Sequence, residues 1–381
     1  MTVLHRSRSA PASCMHRWPR AGKDFLVAPR VESLKYAVDN LMHKGHVVRK
    51  WKMQLLASLA VASLPILPQS AHADAPVTLG VVSWIGYGPI YCAVSNGYYK
   101  RYGLDVKLIT FTDNSVMAGA VQGGEIDATT MTYDQVIAAN AHGWKLKVVM
   151  PIDYSVGGDA ILASTQIHSV KDLRGLKVAF MSASPSDFLL GYALAKDGLS
   201  ERDVQPINTT PEGVVGIMVG GSAPVGVSYE PNVSTIVKSS GGKRFHVIMS
   251  SREARGMITD VLVLKDSVIA TNPKMAEGLI RGTLDGLAFM TANAGKAAEI
   301  IGKSLDIRAE EVLAQLPNIE NPPLPALGDV FKKSDSLPSF YASGKIIGEI
   351  LKREGQIEAP PPIEATYDAS FVRALQGHSG G

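Results

Sequence analysis

Cysteine is scarce in this 381-residue chain, which contains only Cys14 and Cys92. A fold stapled by disulfides needs more cysteines than this, so that class of small secreted scaffold is excluded. A mature chain of about 300 residues can instead be stabilised by one large hydrophobic core. The position of Cys92 after Pro89 in an apolar segment favours a buried, inert thiol, and a reactive thiol is the alternative.

The chain also lacks a strong excess of charge of either sign, with 38 basic and 35 acidic residues and a net charge of +3. Residues 1–73 are rich in Lys and Arg. Without them the chain would carry 27 basic and 32 acidic residues, a net charge of −5. A mildly acidic protein offers no basic surface for a phosphate backbone, so nucleic acid is excluded as a partner.

Motifs that would carry enzyme chemistry are missing as well. There is no HxxxH or CxxC metal pair and no GxSxG nucleophile elbow, and the glycine pairs fit neither a P-loop nor a dinucleotide fingerprint. After residue 73 the histidines are scattered along the chain, at His142, His168, His246 and His378. We therefore expect a protein that is not an enzyme, with no catalytic residues, no metal and no cofactor.

No apolar run reaches the length of about 20 residues that a membrane-spanning helix needs. The longest candidate, Met53–Leu67, follows the basic residues Arg49, Lys50 and Lys52 and precedes the small-residue site Ala71-His72-Ala73. This arrangement predicts a secretory signal peptide of about residues 42–73, removed in the mature protein, with a short membrane anchor as the alternative. Residues 1–41 fit no signal design, and we expect them to be an unstructured extension or an over-long gene start.

What the rest of the sequence contains is a regular alternation of strand and helix patterns. Apolar, β-branched runs such as Val77–Val82 alternate with helical segments that begin at Ser, Thr or Pro and end at Gly. This alternation predicts βαβ units, a parallel sheet and an α/β fold. We expect two lobes, with lobe 1 formed by residues 74–161 and 256–381 and lobe 2 by residues 162–255.

Aromatic and small polar residues recur where the predicted strands end. Ligands of open α/β sheets bind beyond the carboxyl ends of the strands, and pockets for small molecules combine aromatic walls with a few polar groups. The predicted ligand-binding residues are Trp84, Tyr87, Thr130, Thr132, Gly158, Asp159, Ser182, Ser184, Tyr229, Glu230 and Asp260.

Each of these residues also has a purely structural explanation. Trp84 is large enough to be a core residue. Ser184, Thr132 and Glu230 each precede a predicted helix and could cap it, and Asp159 follows two glycines and could stabilise a turn. The prediction therefore depends on the recurrence of such residues at strand ends, and on no one of them alone.

Several stretches resemble the periplasmic solute-binding proteins of nitrate, sulfonate and taurine ABC importers, a group that includes binders of thiamine pyrimidine precursors. They lie between about Val77 and Asp306: "WIGYGPIYCAVSNGYYKRYGLDV", "VQGGEIDATTMTYDQV", "GGDAI", "VKDLRGLKVAF", "SPSDFLLGYALAKDGL", "SYEPNVS" and "NPKMAEGLIRGTLDGLAFM". The resemblance implies the two-lobed (type II) periplasmic binding protein fold, with two mixed α/β sheets joined by a two-crossing hinge. It also implies a periplasmic monomer that delivers a small solute to an inner-membrane ABC permease and its ATPase.

The resemblance assigns specific positions. Trp84 and Tyr87 match the aromatic loop of the family, and Glu230 matches its Trp-Glu-Pro motif, with Tyr229 in place of Trp. Ala223-Pro224 departs from an Asp-Ala pair that usually precedes this motif. The other matches lie in the loop after the third strand and at a helix start of lobe 2: Thr130, Thr132 and Ser182–Asp187.

The ligand class stays open at this point. Serine and threonine donors with Arg255 would suit a sulfonate or carboxylate. Asp159, Glu230 and Asp260 favour an N–H-bearing or cationic solute, and we favour a small nitrogen-containing or zwitterionic organic molecule. Closure is expected at Gly157–Ile161 and Met257–Asp260. The alternatives are an enzyme on the same scaffold that acts on a pyrimidine or quinone precursor, or a ligand-sensing module.

Overall fold

The computed structural model describes residues 76–378, so the predicted signal peptide, the extension before it and Cys14 lie outside the described residues. The strands are β1 Val77–Val82, β2 Val106–Phe111, β3 Ala128–Thr132, β4 Leu146–Ser155, β5 Asp159–Ser164, β6 Lys177–Phe180, β7 Gln205–Asn208, β8 Val225–Tyr229, β9 Phe245–Ser250, β10 Thr259–Lys265 and β11 Ile319–Glu320. The helices are α1 Gly88–Ser95, α2 Met117–Gly123, α3 Tyr133–Ala141, α4 Pro185–Lys196, α5 Pro211–Val219, α6 Asn232–Lys238, α7 Asp266–Thr271, α8 Pro273–Ala292, α9 Ala294–Leu305, α10 Ala309–Gln315, α11 Leu324–Val330, α12 Phe340–Arg353 and α13 Ser370–His378.

These elements form two mixed sheets. The six-stranded sheet has the order β11-β4-β10-β3-β1-β2, and the five-stranded sheet has the order β7-β6-β8-β5-β9. The βαβ units give parallel pairs, as the sequence predicts, whereas β10 and β5 run antiparallel to both of their neighbours. The prediction of two mixed sheets is confirmed, and the antiparallel strands β5 and β10 are those that arrive from the other sheet rather than through a crossover helix.

The chain passes between the sheets twice, from Ser155 to Asp159 and back from Ser250 to Thr259. We call the six-stranded sheet with its helices lobe 1 and the five-stranded sheet with its helices lobe 2. The two crossings are tied together by hydroxyls. Ser251 Oγ accepts a hydrogen bond from the Gly157 amide at 2.8 Å and lies 2.7 Å from Ser155 Oγ. Hydrogen bonds therefore connect the two chain segments that join the lobes.

The hydrophobic core is continuous across the lobes. One cluster of buried apolar residues includes Val81 and Val263 in lobe 1 and Phe180 and Leu189 in lobe 2. Helix α12 contacts α3 in lobe 1 and also α4 in lobe 2. The structure is thus a conformation in which the lobes are closed on each other. None of the helices within residues 76–378 is long and apolar enough to cross a membrane.

Helix α8 packs so closely on α1 that position 286 must be glycine. A Cβ added to Gly286 would lie 1.9 Å from the Pro89 carbonyl oxygen, a backbone atom that cannot rotate away. We expect Gly286→Ala to lower the free energy of unfolding by about 2 kcal/mol or more, because α8 must shift away from α1. Chemical denaturation measures this change.

The matched control is Gly295→Ala in α9, where an added Cβ meets no atom within 4 Å. This substitution should be neutral or stabilise by up to about 1 kcal/mol, because alanine favours helix more than glycine does. Equal effects of the two substitutions would contradict the assigned packing of α8 on α1.

Candidate functional site

Strand ends from both lobes meet at one place between the sheets. The residues that line the small cavity there are Val82, Trp84, Tyr87, Asn114, Met117, Thr130, Met131, Thr132, Asp159, Pro185, Tyr229 and Asp260. The cavity has a volume of about 10 Å³, which is room for about one water molecule. The side chains of the two lobes therefore fill the cleft in this conformation, and an organic solute requires the lobes to separate first.

Two carboxyl groups lie side by side at the floor of the cleft. Asp153 on β4 and Asp260 on β10 are direct cross-strand partners, and both are buried. Burial raises the pKa of Asp260 to about 7. Burial, reinforced by the charge of Asp260, raises the pKa of Asp153 well above its usual value. Since two adjacent buried carboxylates repel each other, the pair holds a shared proton at neutral pH.

The aromatic loop after β1 covers this carboxyl pair. The Trp84 indole N–H donates to Asp153 at 3.2 Å, and the Tyr87 hydroxyl donates to Asp260 at 2.5 Å. Between them, a Cβ on Gly86 would lie 2.3 Å from both Asp153 Oδ2 and Trp84 Nε1. The loop can approach the carboxyl pair this closely only because residue 86 has no side chain.

Asp159 supplies a third carboxyl group at the start of β5, just beyond the first crossing. It is 2 % exposed, and burial raises its pKa to about 8. The adjacent Gly158 packs under the Trp84 ring, where a Cβ would lie 2.5 Å from Cη2. The first crossing therefore touches the aromatic wall directly.

Lobe 2 closes the cleft with Tyr229 at the end of β8. Its ring meets the Trp84 ring edge-on, with centroids 5.7 Å apart, and its hydroxyl donates to Asn114 Oδ1 at 3.1 Å. A second bridge runs through Gln135 Nε2, which donates to the carbonyls of Asn114 in lobe 1 and Ala183 in lobe 2, both at 3.2 Å. We call these contacts of Asn114, Gln135 and Tyr229 the latch.

The predicted site residues divide into two groups. Those that line the cavity are Trp84, Tyr87, Thr130, Thr132, Asp159, Tyr229 and Asp260, and Gly158 lies just behind Trp84. Ser184 instead caps α4 by accepting from the Ser186 amide at 3.1 Å. Glu230 accepts from the Ser234 amide at 3.0 Å and faces a separate surface pocket. Ser182 lines a second cavity, next to the cleft, whose walls include Asp134 and Asp187.

Sequence reasoning missed Asp153 and Asn114. Asp153 has a visible signal, because a charged residue near the end of an otherwise apolar strand is costly unless it has a role. Asn114 has no such signal. It follows the short turn after β2, and only the folded chain brings it to Tyr229.

The cleft has a one-sided charge distribution. Its lining includes the carboxyls of Asp159 and Asp260, while no Lys, Arg or His is among the described residues that line it. Arg255, a candidate anion ligand from the sequence, instead pairs with Glu320 through two N–H groups at the outer surface. Within residues 76–378 no cluster of three or more His, Cys, Asp or Glu side chains could hold a metal ion.

Two sheets that face each other across a cleft between their strand ends define the two-lobed fold of periplasmic binding proteins. The family model described as NMT1/THI5 like matches residues 84–297. The chain belongs to this family.

Individual relatives agree with this class. The riboflavin-binding protein RibY of Chloroflexus aurantiacus is 26% identical over 344 residues, which cover 84% of this chain and 95% of RibY. The periplasmic aliphatic sulphonate binding protein SsuA of Escherichia coli superposes with a TM-score of 0.62 at 18% identity, covering 77% of this chain and 98% of SsuA. The periplasmic nitrate-binding protein NrtA of Synechocystis PCC 6803 gives a TM-score of 0.64 at 14% identity, covering 80% and 89% of the two chains.

Proposed function

We propose that the protein is the solute-binding component of an ABC importer, which captures one small organic solute between its lobes and delivers it to a permease and its ATPase. Its place of action is the periplasm, reached through the predicted leader, and it works as a monomer. The support comes from its family, from its fold and from relatives that are themselves binding proteins. The solute contacts are assigned to Trp84, Tyr87, Thr130, Asp159 and Asp260.

The observation that carries the proposal is the convergence of polar and aromatic side chains from both lobes on one cleft. Trp84 and Asp260 come from lobe 1, and Asp159 and Tyr229 from lobe 2. A solute that contacts the side chains of both lobes would favour the closed form. In this way a two-lobed receptor converts binding into a shape that a membrane partner can recognise.

The charge of the cleft favours a particular class of solute. Buried carboxyls with no basic partner in the cavity lining suit a donor of N–H groups or a cation, and aromatic faces add attraction for positive charge. A sulfonate or nitrate would instead approach Asp159 and Asp260 without a compensating cation. We therefore assign a small nitrogen-containing, cationic or zwitterionic organic solute, in contrast to the anions named for SsuA and NrtA.

A thermal-shift panel followed by small-angle scattering tests this function. The panel contains aminopyrimidines, amino-acid derivatives, small amides and sulfonates, and a true solute should raise the melting temperature in proportion to ln(1 + [L]/Kd). With that solute at saturation, we expect the radius of gyration to change relative to the free protein. A panel in which only sulfonates bind would contradict the assigned solute class. Scattering profiles identical with and without a confirmed ligand would contradict the hinged receptor.

A further inference from the structure

A second and much larger cavity lies next to the cleft, on the outer side of the latch. Its volume is about 400 Å³, and it is formed by helices of both lobes. We call it the vestibule and define it by Ala118, Asp134, Ala138, Trp144, Asp187 and Leu351. Gln135, which bridges the lobes, is part of the wall that the vestibule shares with the latch. Nothing in the function proposed above uses this space.

The walls of the vestibule are mostly apolar, but its inner end carries an unusual polar atom. Asp134 is 3 % exposed, and its Oδ1 has no hydrogen-bond partner among the described residues. A buried carboxylate oxygen without a partner costs free energy, so it indicates a ligand that the site is shaped to receive. Burial raises the pKa of Asp134 only to about 6, which leaves the group ionised at pH 7.5.

A second acidic group adds to the negative charge of this end of the vestibule. Asp187 Oδ2 accepts from the Ala183 amide at 2.7 Å. Burial raises the pKa of the neighbouring Glu201 to about 9, and the Asp187 carboxyl reinforces this shift. Asp134 and Asp187 therefore place two carboxyl groups in the lining of the same cavity.

We propose that the vestibule is a second binding compartment, which takes an organic cation with an apolar body. The cationic nitrogen donates to Asp134 Oδ1, and the apolar body lies against Trp144, Ala138 and Leu351. The volume of about 400 Å³ falls within the range of small-molecule sites. A positive charge next to the Trp144 ring gains further attraction from the indole face.

Benzylammonium is a suitable probe, because it combines an aromatic body with a cation at neutral pH. We expect it to bind the native protein at pH 7.5 in isothermal titration calorimetry. Benzyl alcohol, which has the same body without the charge, should bind at least tenfold more weakly, and benzoate should not bind. Asp134→Asn should weaken benzylammonium binding at least tenfold. Ala138→Phe, which fills the compartment and leaves the carboxylate in place, should weaken it as well.

A matched control separates the vestibule from general charge effects. Asp335→Asn removes a carboxyl at an exposed position and should change benzylammonium affinity by less than threefold. Unchanged affinity in both Asp134→Asn and Ala138→Phe would overturn the proposal, as would equal binding of benzyl alcohol or no binding of benzylammonium to the native protein.

Discussion

Replacing Asp260 by asparagine should remove most of the affinity for the solute found in the panel, by at least about thirtyfold. The expected loss is about 2–5 kcal/mol, which is typical when one partner of a buried charge pair is removed. The substitution keeps the shape of the side chain, so the Tyr87 hydroxyl can still donate to the side-chain oxygen. Calorimetric titration of the two proteins at pH 8 measures the difference.

The same variant should be more stable than the native protein when no solute is present. Asp260 faces Asp153 directly across the β4–β10 pair, and burying a second carboxyl beside the first costs free energy, which the raised pKa values of both groups reflect. Asp335→Asn, which removes an exposed carboxyl, is the matched control and should alter neither affinity nor stability. A variant that loses stability and affinity together would indicate a structural role for Asp260 and would refute its assignment as a solute ligand.

The stability of the unliganded protein should fall by several kcal/mol as the pH rises from about 4 to about 8. In the unfolded chain an aspartate has a pKa near 3.9, whereas burial raises the pKa of Asp159 to about 8 and that of Asp260 to about 7. The folded protein therefore binds more protons than the unfolded chain throughout this window. The stabilisation that these protons provide is complete below the pKa of the unfolded chain. It is lost as the pH rises through the pKa values of the folded protein.

Asp159→Asn should flatten this profile, because an amide has no proton to lose between pH 4 and 8. Urea denaturation at several pH values gives both curves. Saturation with a cationic solute should flatten the native profile as well, since the cation stabilises the carboxylates that are otherwise costly. If the free energy of unfolding of the native protein instead rises between pH 5 and 8, these carboxyls are paired with a positive charge in the folded protein.

Much of the fold could be predicted because local rules act within short segments. Apolar periodicity and capping residues predict elements at Val77–Val82, Val106–Phe111 and Phe340–Arg353, and these are the bounds of β1, β2 and α12. The same patterns predict one helix from Pro89 to Arg101, which is wrong in its second half. Gly97 takes a left-handed φ of 68° and ends α1, so that a short 3-10 segment follows.

Other departures depend on tertiary contacts. The composition of the proline-rich stretch "NPPLPALGDV" predicts a connector, but part of it forms α11. The C-terminal tail forms α13, which packs against α11. Proline is tolerated at the first positions of α11 because the amides there need no helical partner. Neither helix is strongly marked in the sequence, since each is stabilised by the other.

The sequence predicts which strand ends form the site, but it does not predict which side chains contact each other there. Trp84 and Asp260 follow from their positions after β1 and at the second crossing. The partner of Trp84 does not, because only the sheet order brings Asp153 to it. The pair of Asn114 and Tyr229 likewise depends on the closure of the lobes. Sequence position alone also does not show that Asp159 faces the cavity while Glu230 accepts a hydrogen bond from the Ser234 amide in the first turn of α6.

The latch between the lobes lowers the apparent affinity for any solute that binds in the cleft. Asn114 accepts hydrogen bonds from Tyr229 and Gln135, and these contacts stabilise the closed arrangement of the lobes. A solute enters only when the lobes are apart, and its apparent dissociation constant is its intrinsic value divided by the population of that open form. Sequence changes at Asn114 can thus alter uptake through the stability of the closed form as well as through the lining of the cleft.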